Sequence, residues 1–354
     1  MNNKNVRFLG IDFLRFVCAL SVVLFHYFYR GTLSDSPILL KTEIHSLSEI
    51  FKYGFLGVQI FFVISGFVIL NSALEKDAKR FLISRFLRIY PAFLICATIT
   101  FMACRFIPVD DPNFHKPGFV QYIVNLTMLS TIFKVEYMDG VYWTLIYEII
   151  FYAYIFLLIL TGKLKFIEYF IIFGLTASTV YWSHSIFGTP FPRHTALPLA
   201  CDVFGFFSAG SLLYLNYLNG PSRLRNILLI VSYFLSLVQI DKMSSGLSIT
   251  GGHVNSYIAA VIYTVLLLLF IAVIKNPAHF KNKNLWIFIG NLTYPLYLIH
   301  QMVGYIIIHH FTGKIGDFTL VTLTILSVII LSALIHIYGE LPIRKLLKNL
   351  LIKI

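Results

Sequence analysis

Apolar runs of about 20 residues recur from one end of the chain to the other, separated by short polar or basic segments. Ten such runs can be drawn, at 9–29, 54–72, 88–107, 141–161, 166–184, 197–215, 226–240, 254–274, 285–309 and 318–338. Each can cross a hydrocarbon core of about 30 Å as a helix, which satisfies its own backbone hydrogen bonds in lipid. The pattern predicts an all-α, polytopic membrane protein with about ten transmembrane helices. No polar stretch is long enough to house a separate soluble domain. The expected organisation is a single membrane domain over 7–340 and a short basic cytoplasmic tail at 341–354. No low-complexity segment or internal repeat stands out, and transporters often carry repeats.

Composition agrees. The chain is 58% hydrophobic and 12% charged, about half the charge fraction of an average soluble domain. The net charge of +12 invites a nucleic-acid reading, but basic residues bordering membrane spans explain it, so no nucleic-acid partner is expected. With the N-terminus inside, 19 of the 28 Lys and Arg residues fall on the inner side and 9 on the outer. That asymmetry predicts both termini in the cytoplasm. Lys4, Arg7 and the apolar run behind them resemble a signal peptide. Asp12 and Arg15 interrupt that run, however, and Tyr27-Phe-Tyr-Arg30 offers no small-residue cleavage site, so the run reads as a retained first span. The two longest connections, 30–53 and 108–140, then lie outside. Cys18, Cys96, Cys104 and Cys201 all sit in apolar runs without metal or redox spacing and read as packing residues.

The chemistry lies in the polar residues inside the spans. Arg15 and His26 are eleven residues apart, so on a helix they face the same way, roughly 16 Å apart along the axis. Counting residues from the span ends puts His26 roughly 25 Å above the inner boundary, Glu148 roughly 20 Å and His300 roughly 22 Å, with Asp202 near the same level. Titratable groups sharing a layer in the outer half of the membrane imply a polar cavity. The bland alternative is that each histidine only hydrogen-bonds a neighbouring helix. His26 oriented by Glu148 would make a general base. No metal is expected: H-x-x-x-H and H-E-x-x-H pairs are missing, and the adjacent His309 and His310 point apart on a helix. On the inner side, Arg85 and Arg88 are helix neighbours within Lys79-Arg80-Phe-Leu-Ile-Ser-Arg85-Phe-Leu-Arg88-Ile-Tyr-Pro91. They suit either lipid headgroups or a phosphorylated ligand.

Six fragments in order resemble the acyltransferase family 3 membrane proteins. Asp12-Phe-Leu-Arg15 with His26 is similar to the family's first-helix pattern, and Gly57-Val-Gln-Ile-Phe-Phe-Val-Ile-Ser65-Gly66-Phe67 to its second-helix signature. Arg85-Phe-Leu-Arg88 resembles its R-x-x-R element. Trp143-Thr-Leu-Ile-Tyr-Glu148-Ile-Ile-Phe-Tyr152 resembles W-S-L-x-x-E-x-x-F-Y, with Thr144 in place of serine. Gly290-Asn-Leu-Thr-Tyr294-Pro-Leu-Tyr297-Leu-Ile-His300 is similar to the ninth-helix segment, with Pro295 in place of a small residue, and Glu340-Leu-Pro342 to the closing E-x-P.

The resemblance implies an O-acyltransferase of the bacterial inner (plasma) membrane, in the stand-alone form without an added hydrolase-like domain. It would have no bound cofactor. Acyl-CoA, usually acetyl-CoA, would be co-substrate, its phosphates near Arg85 and Arg88. The acceptor would be a lipid-linked or surface glycan reached from outside. His26 would be the catalytic histidine, with Arg15 supporting it or the donor. Asp12, three residues before Arg15, would hold that arginine. Ser65, the amides near Gly66 or Arg15 could stabilise the oxyanion, and His300 would support the site. Direct transfer and an acyl-histidine route both remain open. The same polar layer and basic rim would also suit a transporter or flippase for an anionic or glycolipid substrate, or a non-catalytic partner in an envelope assembly complex.

Overall fold

A computed structural model describes residues 8–41, 45–74, 77–189, 191–249, 252–276 and 282–352. Lys4 and Arg7 lie outside these. The described chain is helical, with one isolated bridge between Thr312 and Ile315 outside the helices. The helices are α1 (Leu9–Phe28), α2 (His45–Phe51), α3 (Leu56–Leu74), α4 (Ala78–Phe106), α5 (Phe119–Leu126), α6 (Trp143–Leu160), α7 (Ile167–Ile186), α8 (Arg193–Ala196), α9 (Phe204–Asn219), α10 (Arg223–Ile249), α11 (Ser256–Lys275), α12 (Lys283–Phe311), α13 (Asp317–Leu334) and α14 (Leu341–Ile352). A π-helical segment, Ile335–Glu340, joins the last two. The chain is therefore an all-α polytopic membrane protein.

Among the described residues, eight helical segments are long and apolar enough to cross a membrane. The two remaining predicted runs differ for separate reasons. Helix α9 has 16 residues and starts at Phe204 rather than near 197, because Pro198 and the left-handed Ala200 (φ 49°) hold the preceding segment in turns. Helix α12 has 29 residues but is too polar along its length. Its Thr293, His300 and Gln301 are buried, so they face protein rather than lipid.

Two boundaries shift in a way that matters. Helix α4 begins ten residues before the predicted 88, capped by the Asp77 carboxylate, which accepts from the Arg80 amide at 2.8 Å. The basic stretch holding Arg85 and Arg88 is thus the first part of a membrane helix. The connection 108–140, expected on the outer side, is not simply a loop. Helix α5 runs back along α4: Tyr122 stacks on Phe101 at 4.6 Å and its hydroxyl lies 2.9 Å from Thr98 Oγ1. Buried Asn125 ties this helix to the returning strand-like segment, donating to the Glu136 carbonyl at 3.0 Å and accepting from the Met138 amide at 3.0 Å. Those bonds satisfy backbone that would otherwise be costly at this depth. Below α5, an apolar recess of about 650 Å³ opens between α4, α5 and α6.

Close helix contacts at small residues hold the bundle, as expected where lipid is as apolar as leucine. A Cβ at Gly66 would lie 2.1 Å from the Phe207 carbonyl oxygen, and one at Gly210 would lie 1.8 Å from that of Val63, so α3 and α9 touch backbone to backbone. Helix α1 meets α3 at Gly54 and Gly57, and meets α12 at Gly290 and Gly304. Gly290 sits against Asp12, and Gly304 against the Tyr27 hydroxyl. Around this centre, α7, α10 and α11 show exposed Phe173, Phe234, Val261 and Leu268 on their outer faces, where a bilayer would cover them.

Gly210→Ala should lower the thermal unfolding midpoint of the detergent-solubilised protein, corresponding to about 1–3 kcal/mol, because the facing atom is backbone and cannot yield. Gly118→Ala, with nothing within 4 Å of the new Cβ, is the control and should leave the midpoint in place.

Candidate active site

Helix α1 carries the polar stripe and delivers it to two adjoining regions. Lower on the helix, Arg15 lines a cavity of about 70 Å³ together with Ser65, Arg88, Thr144, Glu148 and Tyr294. A smaller space of about 30 Å³ shares Arg15, Ser65, Arg88 and Glu148 and adds Arg85 and Tyr152. Five residues singled out in the sequence, from α1, α3, α4 and α6, thus surround one polar void. Glu148 is the only carboxylate lining it, and it accepts from the Tyr152 hydroxyl at 2.5 Å. Arg85 lies over the Phe81 and Tyr152 rings at 5.8 and 5.7 Å and donates to Ser72 Oγ at 3.1 Å. The buried Arg15 Nε has no hydrogen-bond partner among the described residues. Three guanidinium groups around one carboxylate leave the void with excess positive charge, which favours an anionic or strongly polar ligand.

Higher on α1, His26 lines a cavity of about 220 Å³ with Arg30, Trp143, Met243, Tyr297 and Gln301. This space shares Val58 and Tyr297 with the arginine cavity, so those two side chains form the partition between them. The Tyr297 hydroxyl is held 3.0 Å from Thr144 Oγ1 and donates to the Val141 carbonyl at 3.1 Å.

The partner of His26 is His300, not Glu148. His300 Nε2 lies 3.1 Å from His26 Nδ1. The pairing settles the tautomers of the neutral rings. His300 Nδ1 faces two carbonyl oxygens, Tyr297 at 2.8 Å and Leu296 at 3.1 Å, and so carries the proton. Its Nε2 is then an acceptor. His26 Nδ1 faces that acceptor and the Val22 carbonyl at 2.9 Å, so it too is protonated. The lone pair of His26 is left on Nε2, for which no partner exists among the described residues. The expected His26–Glu148 pair is corrected on this point: the two line different cavities. Depth counted from uncertain helix ends could not resolve a few ångströms, and it carried no information on azimuth. Asp202 is also elsewhere, accepting from the Tyr147 hydroxyl at 2.6 Å.

The remaining expected residues sort as follows. Ser65 lies with the arginines, away from the His26 cavity, and Gly66 is pressed against α9 with its carbonyl accepting from Ser211 Oγ at 3.2 Å. Neither sits beside His26. Asp12 is buried where α1 meets Gly290 of α12, and its charge acts on Arg15. Among the described residues no three His, Cys, Asp or Glu side chains converge as metal ligands.

The sequence reading missed Asp139. This fully buried carboxylate accepts from the Val141 amide at 3.2 Å and from the Met302 amide, in the middle of α12, at 3.1 Å. It fixes the start of α6 to the turn just after His300. Asp139 lies in a connection expected outside the membrane, and nothing local marks its long-range bond.

The acyltransferase domain family model matches residues 8–337. The chain belongs to this acyltransferase family. Its members' chemistry makes the protein an acyltransferase. A relative from Acidianus two-tailed virus, named "Putative acetyltransferase ORF330", is 25% identical over 300 residues, covering 82% of this chain and 81% of its own length. No solved structure matches the chain.

Asp139→Ala should strip two buried amides of their acceptor and destabilise the acyltransferase by about 2–5 kcal/mol. Asp139→Asn, which keeps an acceptor oxygen, should recover part of the loss. Thermal unfolding of the three proteins side by side checks both expectations.

Proposed function

We propose that the protein moves an acyl group, acetyl in the first instance, from cytoplasmic acyl-CoA to a hydroxyl of a cell-envelope glycan or lipid-linked sugar at the outer face of the plasma membrane. The observation that carries this reading is the series of adjoining cavities from Arg85 and Arg88, past Arg15 and Glu148, to His26, which pairs with His300 at 3.1 Å. The Lys and Arg asymmetry of the sequence gives this line a direction in our reading: the basic start of α4 faces the cytoplasm and His26 faces out.

In this reading Arg85 and Arg88 hold the CoA phosphates, with forked donors suited to them. Arg15 and Ser65 line the passage for the donor arm. The acceptor hydroxyl oxygen attacks the thioester carbonyl while its proton passes to His26 Nε2. The C–O bond forms, the C–S bond breaks, and the imidazolium returns the proton to the departing thiolate to give free CoA. His300 Nε2 accepts from His26 Nδ1–H and stabilises the imidazolium, the role that a carboxylate plays in a serine hydrolase triad. Glu148 serves instead to balance the arginines, since three guanidinium groups alone in a low-dielectric void would repel one another.

His26→Ala should cut transfer of labelled acetyl from acetyl-CoA to the membrane glycan fraction by about 10² to 10⁴-fold, with the protein still inserted and folded. Transfer at the normal rate by that variant would sink the assignment. Replacing Arg85 and Arg88 together by alanine should raise the KM for acetyl-CoA by roughly tenfold or more. An unchanged donor KM would remove these residues from phosphate binding.

A further inference from the structure

The cavity beside His26 contains a second unmet demand. Gln301 directly follows His300 on α12, is 5% exposed, and lines this cavity. Tyr305, one turn further on, donates to the His26 carbonyl oxygen at 3.3 Å. The amide oxygen of Gln301, Oε1, is buried with no hydrogen-bond partner among the described residues. A buried amide oxygen left unpaired is costly, so the site is built for a donor that the protein itself does not supply.

The same need recurs behind the cavity wall. Met243 lines the cavity, and its sulfur accepts from Gln59 Nε2 at 3.1 Å and lies 3.8 Å from Gln239 Nε2. Both of these glutamines also have a buried, unpartnered Oε1. Gln301 and His26 both line this space and both offer it an acceptor, whereas Gln59 and Gln239 stand behind Met243, outside its lining. Methionine is flexible enough to swing aside and open the rear pair.

Charge narrows the ligand further. The only ionic side chain lining the cavity is Arg30, and its guanidinium is already paired with both Asp35 oxygens at 2.8 and 3.0 Å. No carboxylate lines it. A charged sugar, acidic or amino, finds no free counter-charge there. At about 220 Å³ the cavity holds about seven waters at roughly 30 Å³ each, room for a single sugar ring.

We propose that this cavity is the acceptor subsite and that it takes an uncharged sugar with a second hydroxyl beside the one acylated, that second hydroxyl donating to Gln301 Oε1. The inference rests on the acyltransfer reading above and adds the residue and the substrate feature that set acceptor choice. His26 takes the proton of one hydroxyl, and Gln301 reads its neighbour. A site built around a hydrogen bond rejects the analogue that lacks it, because the protein's own acceptor is then left unpaired.

The test uses the full-length protein in nanodiscs with acetyl-CoA as donor. The acceptor probes are methyl glucoside, methyl galactoside and methyl mannoside, their deoxy derivatives lacking one neighbouring hydroxyl, methyl glucuronide and cyclohexanol. The quantity read is the ratio of kcat/KM for a glycoside to that for its deoxy partner, which does not depend on the fraction of protein folded. The wild type should prefer the best glycoside by about tenfold or more. Gln301→Leu should bring the ratio to within about twofold of unity, and Gln301→Glu, which keeps acceptor oxygens, should retain a preference. An unchanged ratio in Gln301→Leu would overturn the proposal. So would equal use of glucuronide or cyclohexanol by the wild type, or His26-dependent acetyl-CoA consumption with no transfer to any glycoside. Acetyl-CoA consumption that persists in His26→Ala would instead overturn the underlying acyltransfer reading.

Discussion

The crossing of α1 and α12 is the contact on which the rest of the site depends. Gly304 lets the Tyr27 hydroxyl press against α12, where it donates to the His300 carbonyl at 2.6 Å. Gly290 lets Asp12 approach α12 in the same way about four helical turns lower. Between these two close approaches the helices cannot slide or rotate without breaking buried hydrogen bonds. Their imidazoles are therefore held 3.1 Å apart. Asp139 adds a third point of attachment, from the start of α6 to the turn after His300. The histidine pair is positioned by backbone and glycine geometry, which gives it precision that long side chains alone would not provide.

Burial in an apolar surround explains why the polar groups are arranged in two separate stations. Arginines cannot be left isolated in a low-dielectric core, so Arg15, Arg85 and Arg88 gather around Glu148 and the Tyr152 hydroxyl. The histidines can be neutral, and their pairing with each other and with backbone carbonyls needs no carboxylate. Val58 and Tyr297 separate the two stations. The arginine-lined void and the histidine-lined cavity therefore adjoin across those two side chains.

The outer connections do more than join spans. Helix α5 folds back along α4, and Asn125 closes its return by saturating the backbone there. Arg30, just past α1, lines the His26 cavity, and Asp35 cancels its charge. The His26 cavity is accordingly without net charge from its lining, whereas the void around Arg15 is basic.

The sequence by itself determined the helical, membrane-embedded character of the chain, because a long apolar run in lipid has few other choices. It also marked side chains that are costly to bury, among them Arg15, Arg85, Arg88, Glu148, His26 and His300, but it set Glu148 in one layer with the histidines, whereas the fold sets it with the arginines. It left the early start of α4, the turns before α9 and the re-entrant path of α5 unread. Capping by Asp77, a left-handed Ala200 and the tie through Asn125 all depend on contacts that apolar periodicity does not encode. Only the tertiary structure decided the pairings. Whether His26 meets Glu148 or His300 depends on helix azimuth and on crossings set by Gly290 and Gly304. Residue counting along separate helices reveals neither. Asp139 and Gln301 gave no sequence signal at all, since a turn aspartate and a helical glutamine are unremarkable until the fold shows what they face.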